Sequence, residues 1–238
     1  MKTFSTGFCF FIFFMFSSNP LYAQLDLLKK ASTSAKKLIN SDKKISNGLT
    51  EALKISVQKS CLEASLEGGF LENEKIKITF PKEIIKVKKA CKKLGINKIV
   101  VNFEEKLNKT AEQVSQQAAD IILEAVYDLQ FTDALKILDG DDDSATEYLR
   151  RNSYDNLYQS FYPKTKNEIE KTGVDELFGV IIKKYNRIPL VKKVDFDLLD
   201  YITIKTIDGI FLLIAEKEKD IRNNPNARVT DLLKDLFK

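Results

Sequence analysis

The sequence predicts an all-α fold, a single multi-helix domain gathered around a buried C-terminal hydrophobic helix. Three observations carry this expectation. Apolar residues recur at three- and four-residue spacing through most of the 238 positions. Glycine, proline and Asn/Asp clusters fall between those runs, where helices stop. From Ile207 to Ala215 only Asp208 and Gly209 are not hydrophobic, the pattern of a helix enclosed by its neighbours.

The elements follow in chain order. Residues 1–23 read as a signal peptide. Lys2 is the only charge before Asp26, Phe8–Phe16 is almost purely apolar, and Leu21-Tyr22-Ala23 ends on a small residue. The apolar run falls short of the roughly 20 residues that span a bilayer as a helix, and Cys9 lies inside it rather than at its small-residue end. The expected location is therefore export to the periplasm, with cleavage after Ala23. Residues 24–47 read as an amphipathic N-terminal helix carrying Leu27, Leu28, Ala31, Ala35 and Leu38 on its stripe, with Asn47-Gly48 as a break.

The helical domain proper is expected over residues 48–238. Leu49, Leu53, Val57, Cys61 and Ala64 form its first stripe, closed by Gly68-Gly69. Lys75–Phe80 alternates Lys and Ile and has no evident partner strand, so it reads as an extended connector. Pro81 opens a helix with the stripe Ile84, Val87, Cys91 and Leu94, stopped by Gly95. Asn97–Leu129 reads as one long helix or two with a bend. Thr132 is positioned to cap a short helix ending near Leu138, and Ser144 with Glu147 has the spacing of a capping box. Ser153 is positioned to cap a further helix that runs towards Lys171, with Pro163 inside it. Gly173 separates that helix from one bearing Leu177, Ile181 and Tyr185. Asp197 opens the most apolar helix, Asn223-Asn224-Pro225-Asn226 makes a turn, and Thr230 caps a last short helix.

Composition removes whole classes of chemistry. The chain has no histidine, so Ser-His-Asp and Cys-His catalysis and histidine-ligated zinc are excluded. Cys61 and Cys91 are the only cysteines after Ala23, too few for a four-cysteine metal site. The sequence points to no metal and no cofactor. Net charge is +4, mildly basic.

Several segments carry a resemblance. One is Phe131-Thr132-Asp133-Ala134-Leu135-Lys136-Ile137-Leu138, running into Asp139-Gly140-Asp141-Asp142-Asp143-Ser144-Ala145-Thr146-Glu147-Tyr148-Leu149. Others are Tyr201-Ile202-Thr203, Asp208-Gly209-Ile210-Phe211, Ala215-Glu216, and Ile221-Arg222-Asn223-Asn224-Pro225-Asn226-Ala227-Arg228-Val229-Thr230-Asp231-Leu232-Leu233. From about Gly48 to its end the chain resembles the bacterial domain-of-unknown-function family 4197, exported helical proteins. The resemblance implies export and a helical fold, and no activity. It has departures: Asp139-Gly140-Asp141 stands where members often show Gly-Gly-Asp. Asn108-Lys109-Thr110-Ala111-Glu112 stands for Asn-Arg-Ala-Ala-Glu, and a lysine lacks arginine's planar fork.

Candidate functional residues are few. Asp139, Asp141 and Asp143 occupy alternate positions of a calcium loop, but Ser144 and Arg150 stand where glycine and glutamate are required. A solvated loop is the favoured reading. Asp208 is a candidate buried polar position, read either as a carboxyl tuned for acid–base work or, preferably, as one paired within the core. Glu218, Arg222 and Arg228 are candidate C-terminal ion-pair residues, Glu218 and Arg222 lying one helical turn apart. Cys61 and Cys91 leave both a disulfide and two free core thiols open. Lys75–Lys98 holds nine lysines and one acid, with Lys82, Lys86, Lys89 and Lys93 sharing a helix face. The interleaved residues are aliphatic, so nucleic acid is not expected. A weak contact with an anionic envelope surface is one reading and a plain solvated face the other. The partner is not legible. The function class favoured is a non-enzymatic envelope binding, structural or interaction protein, against a carboxylate-based enzyme or a carrier of a small apolar ligand between helices. The export reading has a direct check: mass spectrometry of the mature protein finds Gln24 at its N-terminus, whereas recovery of only intact Met1 species from the cytoplasm contradicts it.

Overall fold

The computed structural model describes residues 20–237, with side chains described from Lys43 onward and Leu232 excepted. Residues 1–19 of the expected signal peptide, Cys9 among them, lie outside the described residues. The chain divides into units 1–42 and 43–238. In the first, residues 20–42 are helical.

The described residues form nine α-helices and no strand. They are α1 (Pro20–Ser65), α2 (Ile85–Lys93), α3 (Asn97–Ser115), α4 (Ala118–Tyr127), α5 (Phe131–Leu138), α6 (Ser144–Thr172), α7 (Val174–Tyr185), α8 (Leu198–Asn223) and α9 (Asp231–Leu236). Short 3-10 turns at Lys82–Ile84 and Pro225–Ala227 lead into α2 and follow α8. The all-α fold stands as the sequence predicts it. No described helix is long and apolar enough to cross a membrane.

In the unit 43–238, α6 and α8 lie together, α3 and α4 pack on α6, and α3 also meets α8. Leu149, Leu157 and Phe161 of α6 and Ile202, Ile207, Ile210, Phe211 and Ile214 of α8 are inaccessible to solvent. Such burial is worth roughly 1.5–3 kcal/mol for each large side chain, and it makes this pair the centre of the core. Yet α8 is not enclosed all round. Lys205, Asp208 and Leu212 share a stripe that reaches the surface, while Gly209 on the adjoining face is buried beneath Phe70.

Several boundaries differ from the sequence expectation. The helix does not break at Asn47-Gly48: α1 runs through it and Gly48 is buried. One glycine costs a helix interior only about 1 kcal/mol, less than the packing of Leu49, Leu53 and Val57 returns. Ser153 starts no helix, because its hydroxyl donates to Leu149 O within a continuous α6 that also passes Pro163. Proline removes one N–H there, and both Pro163 and Gln159 are exposed, so water can satisfy the freed carbonyl of Gln159. Thr132 caps nothing; Gln130 precedes α5 without a side-chain cap bond. The Asn97–Leu129 stretch resolves into two helices, parted at Gln116-Gln117. Leu94 is exposed, because Gly95 turns the chain with φ 72° before that position faces the core. Asp197 and Thr230 do cap α8 and α9, accepting from Asp200 N and Leu233 N.

The segment between α1 and α2 has no regular ladder, and α3 supplies its hydrogen bonds. Glu104, Asn108 and Glu112 stand one turn apart on a single ridge of α3. Glu112 Oε1 accepts from Phe70 N and Leu71 N at 3.1 and 3.2 Å. Asn108 accepts from Ile78 N at 2.8 Å and donates to Ile78 O at 2.9 Å. Glu104 accepts from Phe80 N at 2.8 Å. The connector thus lies antiparallel along α3, with Phe70, Ile76, Ile78 and Phe80 buried. At its start, a Cβ on Gly69 would stand 2.3 Å from Glu63 O, which leaves room for glycine alone.

Gly209 receives the other side of this connector: a Cβ there would lie 2.7 Å from the Phe70 ring. Alanine raises helix propensity by about 1 kcal/mol, but overpacking costs about 1–3 kcal/mol. Gly209→Ala therefore lowers stability in denaturant unfolding. In a Phe70→Ala background the same change becomes neutral or stabilising, and this reversal of sign is the measurement that checks the contact.

Candidate functional site

The titratable groups singled out in the sequence divide into those consumed by the fold and those left free. Glu218, one of the consumed groups, is 6% exposed. Its Oε1 accepts from Ala145 N at 2.9 Å, and its Oε2 from Thr146 N at 2.8 Å and Thr146 Oγ1 at 2.7 Å. A carboxylate from α8 thereby caps the positive N-terminus of α6. This overturns the capping-box expectation: Ser144 is the first residue of α6, and Asp143 before it makes no side-chain cap bond. Local spacing suggested a local cap, and a charged group 73 residues away takes the site instead.

Arg222 Nε donates to Glu218 Oε1 at 3.0 Å, and its two terminal nitrogens donate to the last carbonyls of α5, Ile137 O and Leu138 O. Arg228 binds Ile221 O and Arg222 O, where α8 ends. Phe237 lies under both guanidinium groups, 5.7 and 5.9 Å from their centres. Glu218, Arg222 and Arg228 therefore join three helix ends, those of α5, α6 and α8, and the C-terminal segment. Both carboxylate oxygens of Glu218 and all three guanidinium nitrogens of Arg222 are so engaged.

Asp208 departs from its expected burial. Its side chain is 38% exposed, on the surface stripe of α8, and binds Arg150 at 3.0 Å, with Lys205 at 4.0 Å. Arg150 lies 4.8 Å over the Phe211 ring. An apolar run of sequence placed Asp208 in the core, but 100° per residue carries it to the one open edge of that helix. A shallow cleft of about 290 Å³ beside it is lined by Lys75, Lys77, Lys82, Tyr201 and Lys205. Tyr201 donates to Thr79 O at 3.0 Å, and burial pushes its phenol up to about 12, far from the range useful for proton transfer at neutral pH.

Cys61 and Cys91 are two free, buried thiols and form no disulfide. Burial, with the charge of Asp120, pushes Cys61 up to about 12. Burial raises Cys91 too, against a backbone hydrogen bond and the charge of Lys184. Both act as small core residues. In the acidic loop, Asp142 accepts from Asn223 at 2.9 Å and lies 3.5 Å from Lys219. The Asn223 hydrogen bond holds its carboxyl below the usual range. Among the described residues no three acids or cysteines converge as metal ligands.

A larger groove of about 780 Å³ runs over the polar face of α3 between Glu67, Glu105, Lys106, Lys109, Glu112 and Glu168. Its most buried member, Glu112, holds the connector, and Lys106 Nζ donates to Thr172 O at the end of α6. Lys109 is exposed there. The groove's polar lining is thus partly structural.

The helix α2 is different. Val87 and Cys91 point inward, and Lys88, on the flank of that face, is bound to Glu104. Lys82, Lys86, Lys89 and Lys93 are all exposed, and none has an ion-pair partner among the described residues. Ile85 and Leu94 are exposed beside them. The sequence brought these four lysines to one face, and the structure leaves that face uncovered.

A family model described as a protein of unknown function, DUF4197, matches residues 39–238. No curated protein and no solved structure matches.

The two carboxylates differ in what they hold, and substitution separates them. Glu218→Gln leaves a buried guanidinium short of its partner and costs about 3–5 kcal/mol. Asp208→Asn, at a half-open pair, costs no more than about 1 kcal/mol. Urea unfolding of the two variants at neutral pH measures the contrast.

Proposed function

The chain belongs to the DUF4197 family, proteins of unknown function, and from that premise we propose that it is a non-enzymatic binding protein of the bacterial envelope. In this reading it is exported, cleaved after Ala23, and adheres to an anionic surface through the outer face of α2. The observation that carries the proposal is the unpaired state of Lys82, Lys86, Lys89 and Lys93 beside a Lys88 that is paired. Elsewhere on the molecule, carboxylates answer many of the lysines, as at Lys44, Lys75, Lys136, Lys171 and Lys234. A run of like charges on one short helix and the turn before it repels itself, and an anionic surface offsets that repulsion.

The packing beneath α9 leaves no room there for carriage of an apolar ligand. Near α9 the space among Leu49, Leu53, Glu218 and Phe237 amounts to about 10 Å³, room for about one water. Against an enzyme stand the commitment of Glu218 and Glu112 to backbone groups and the pairing of Asp208 with Arg150.

Each lysine near a charged membrane contributes about 1 kcal/mol. Replacing Lys82, Lys86, Lys89 and Lys93 together by glutamine therefore weakens binding to anionic vesicles and to immobilised dextran sulfate by at least about a hundredfold, with a shallower salt dependence. Replacing Lys136, Lys171 and Lys234, each paired within its own helix, leaves binding nearly unchanged. Equal binding by the quadruple variant and the parent protein sinks the proposal.

A further inference from the structure

The loop between α7 and α8 holds one residue that packing does not explain. Leu190 is fully exposed and is the only non-glycine residue with positive φ among the described residues, at 64°. A γ-branched apolar side chain in the left-handed region is strained, and here no burial offsets the strain. Its neighbours behave otherwise: Ile188, Val191, Val194 and Phe196 turn back onto the core. The backbone is anchored on both sides of Leu190 and presents that side chain to solvent.

Its charged surroundings are of one kind on either side. Arg187, Lys192 and Lys193 are exposed and have no ion-pair partner among the described residues; Asp195 is the first acid after them. The loop leaves α7 directly after Lys183 and Lys184, also exposed, and α7 packs on α2. At the two ends of α2 the exposed Ile85 and Leu94 flank the exposed Lys86, Lys89, Lys92 and Lys93. Bare aliphatic side chains framed by cations suit a layer that is anionic at its boundary and apolar just below it. A soluble or polysaccharide polyanion has no use for the leucine.

We propose that Leu190 is an insertion residue: the loop 187–193 places it into the headgroup boundary of an anionic lipid bilayer while Arg187, Lys192 and Lys193 contact the phosphates. This rests on the anionic-surface reading above and specifies its target. Strain at Leu190 then serves the bound state, since it aims the side chain away from the core that holds the rest of the loop.

The chain contains no tryptophan, so Leu190→Trp supplies a single reporter in the full-length mature protein. With vesicles of phosphatidylglycerol and phosphatidylcholine its emission shifts to the blue and is quenched by lipids brominated near the headgroup. With dextran sulfate it does neither. Leu190→Gly relieves the positive φ, keeps or raises thermal stability, and weakens binding to the anionic vesicles by about tenfold, with dextran sulfate binding unchanged. An unshifted tryptophan on bound vesicles, or a Leu190→Gly variant that binds vesicles as the parent does, overturns the insertion role and leaves the lysine reading standing. Binding to dextran sulfate with none to anionic vesicles has the same meaning. Failure of the parent protein to bind either anionic probe overturns both.

Discussion

Two oxygens of Glu218 hold together more of this structure than any apolar contact does. One carboxylate accepts from two backbone N–H groups at the start of α6, from the Thr146 hydroxyl and from Arg222. Arg222 passes the constraint to the carbonyls that end α5. Helix ends carry partial charge of opposite sign, and a buried end without a partner is costly. An acid and a base four residues apart on α8 meet both kinds of end at once. The spacing of Glu218 and Arg222 therefore sets where α5 stops and α6 starts relative to α8. The α6–α8 pairing at the centre of the core depends on it.

How far the sequence could be read follows from which contacts are local. Helical periodicity identified nearly every helix, because each long helix buries one stripe against a common core. The caps at Asp197 and Thr230 were legible since donor and acceptor lie within one turn. The supposed capping box at Ser144 and the cap at Thr132 failed for the complementary reason. Their partners, or the lack of them, are set by tertiary packing that no short window contains. The rungs Glu104, Asn108 and Glu112 had a visible trace in their four-residue spacing on α3. Nothing local says that their acceptors face an irregular segment rather than water. Asp208 shows the same limit: its apolar neighbours are real, and a single helical turn decides whether it faces them.

Of the candidate site, the sequence showed the four lysines on one helix face after Pro81 and could not show that they stay unpaired. That depends on which acids come near in space, and Glu104 comes near only Lys88. Leu190 had no signal at all. In the sequence it is one aliphatic residue among Ile188, Val191 and Val194, and only the fold separates it from them. The charge that distinguishes the surface is small overall, +4 on 238 residues. Its placement is what gives it consequence: Glu104 pairs with Lys88, while Lys82, Lys86, Lys89 and Lys93 and the lysines of the α7–α8 loop have no ion-pair partner among the described residues.

The connector between α1 and α2 runs extended along α3, yet it offers no strand edge to another chain. The N–H groups of Phe70, Leu71, Ile78 and Phe80 and the carbonyl of Ile78 are taken by side chains. An ordinary exposed edge of alternating Lys and Ile would invite a second strand to add to it. Here the alternation is harmless, because half of the pairing potential is already spent inside the molecule. The arrangement also removes the freedom of a ladder to slip by two residues. Side chains of fixed length and identity, not a repeating backbone, determine which amide is held, so the segment can dock in one register only.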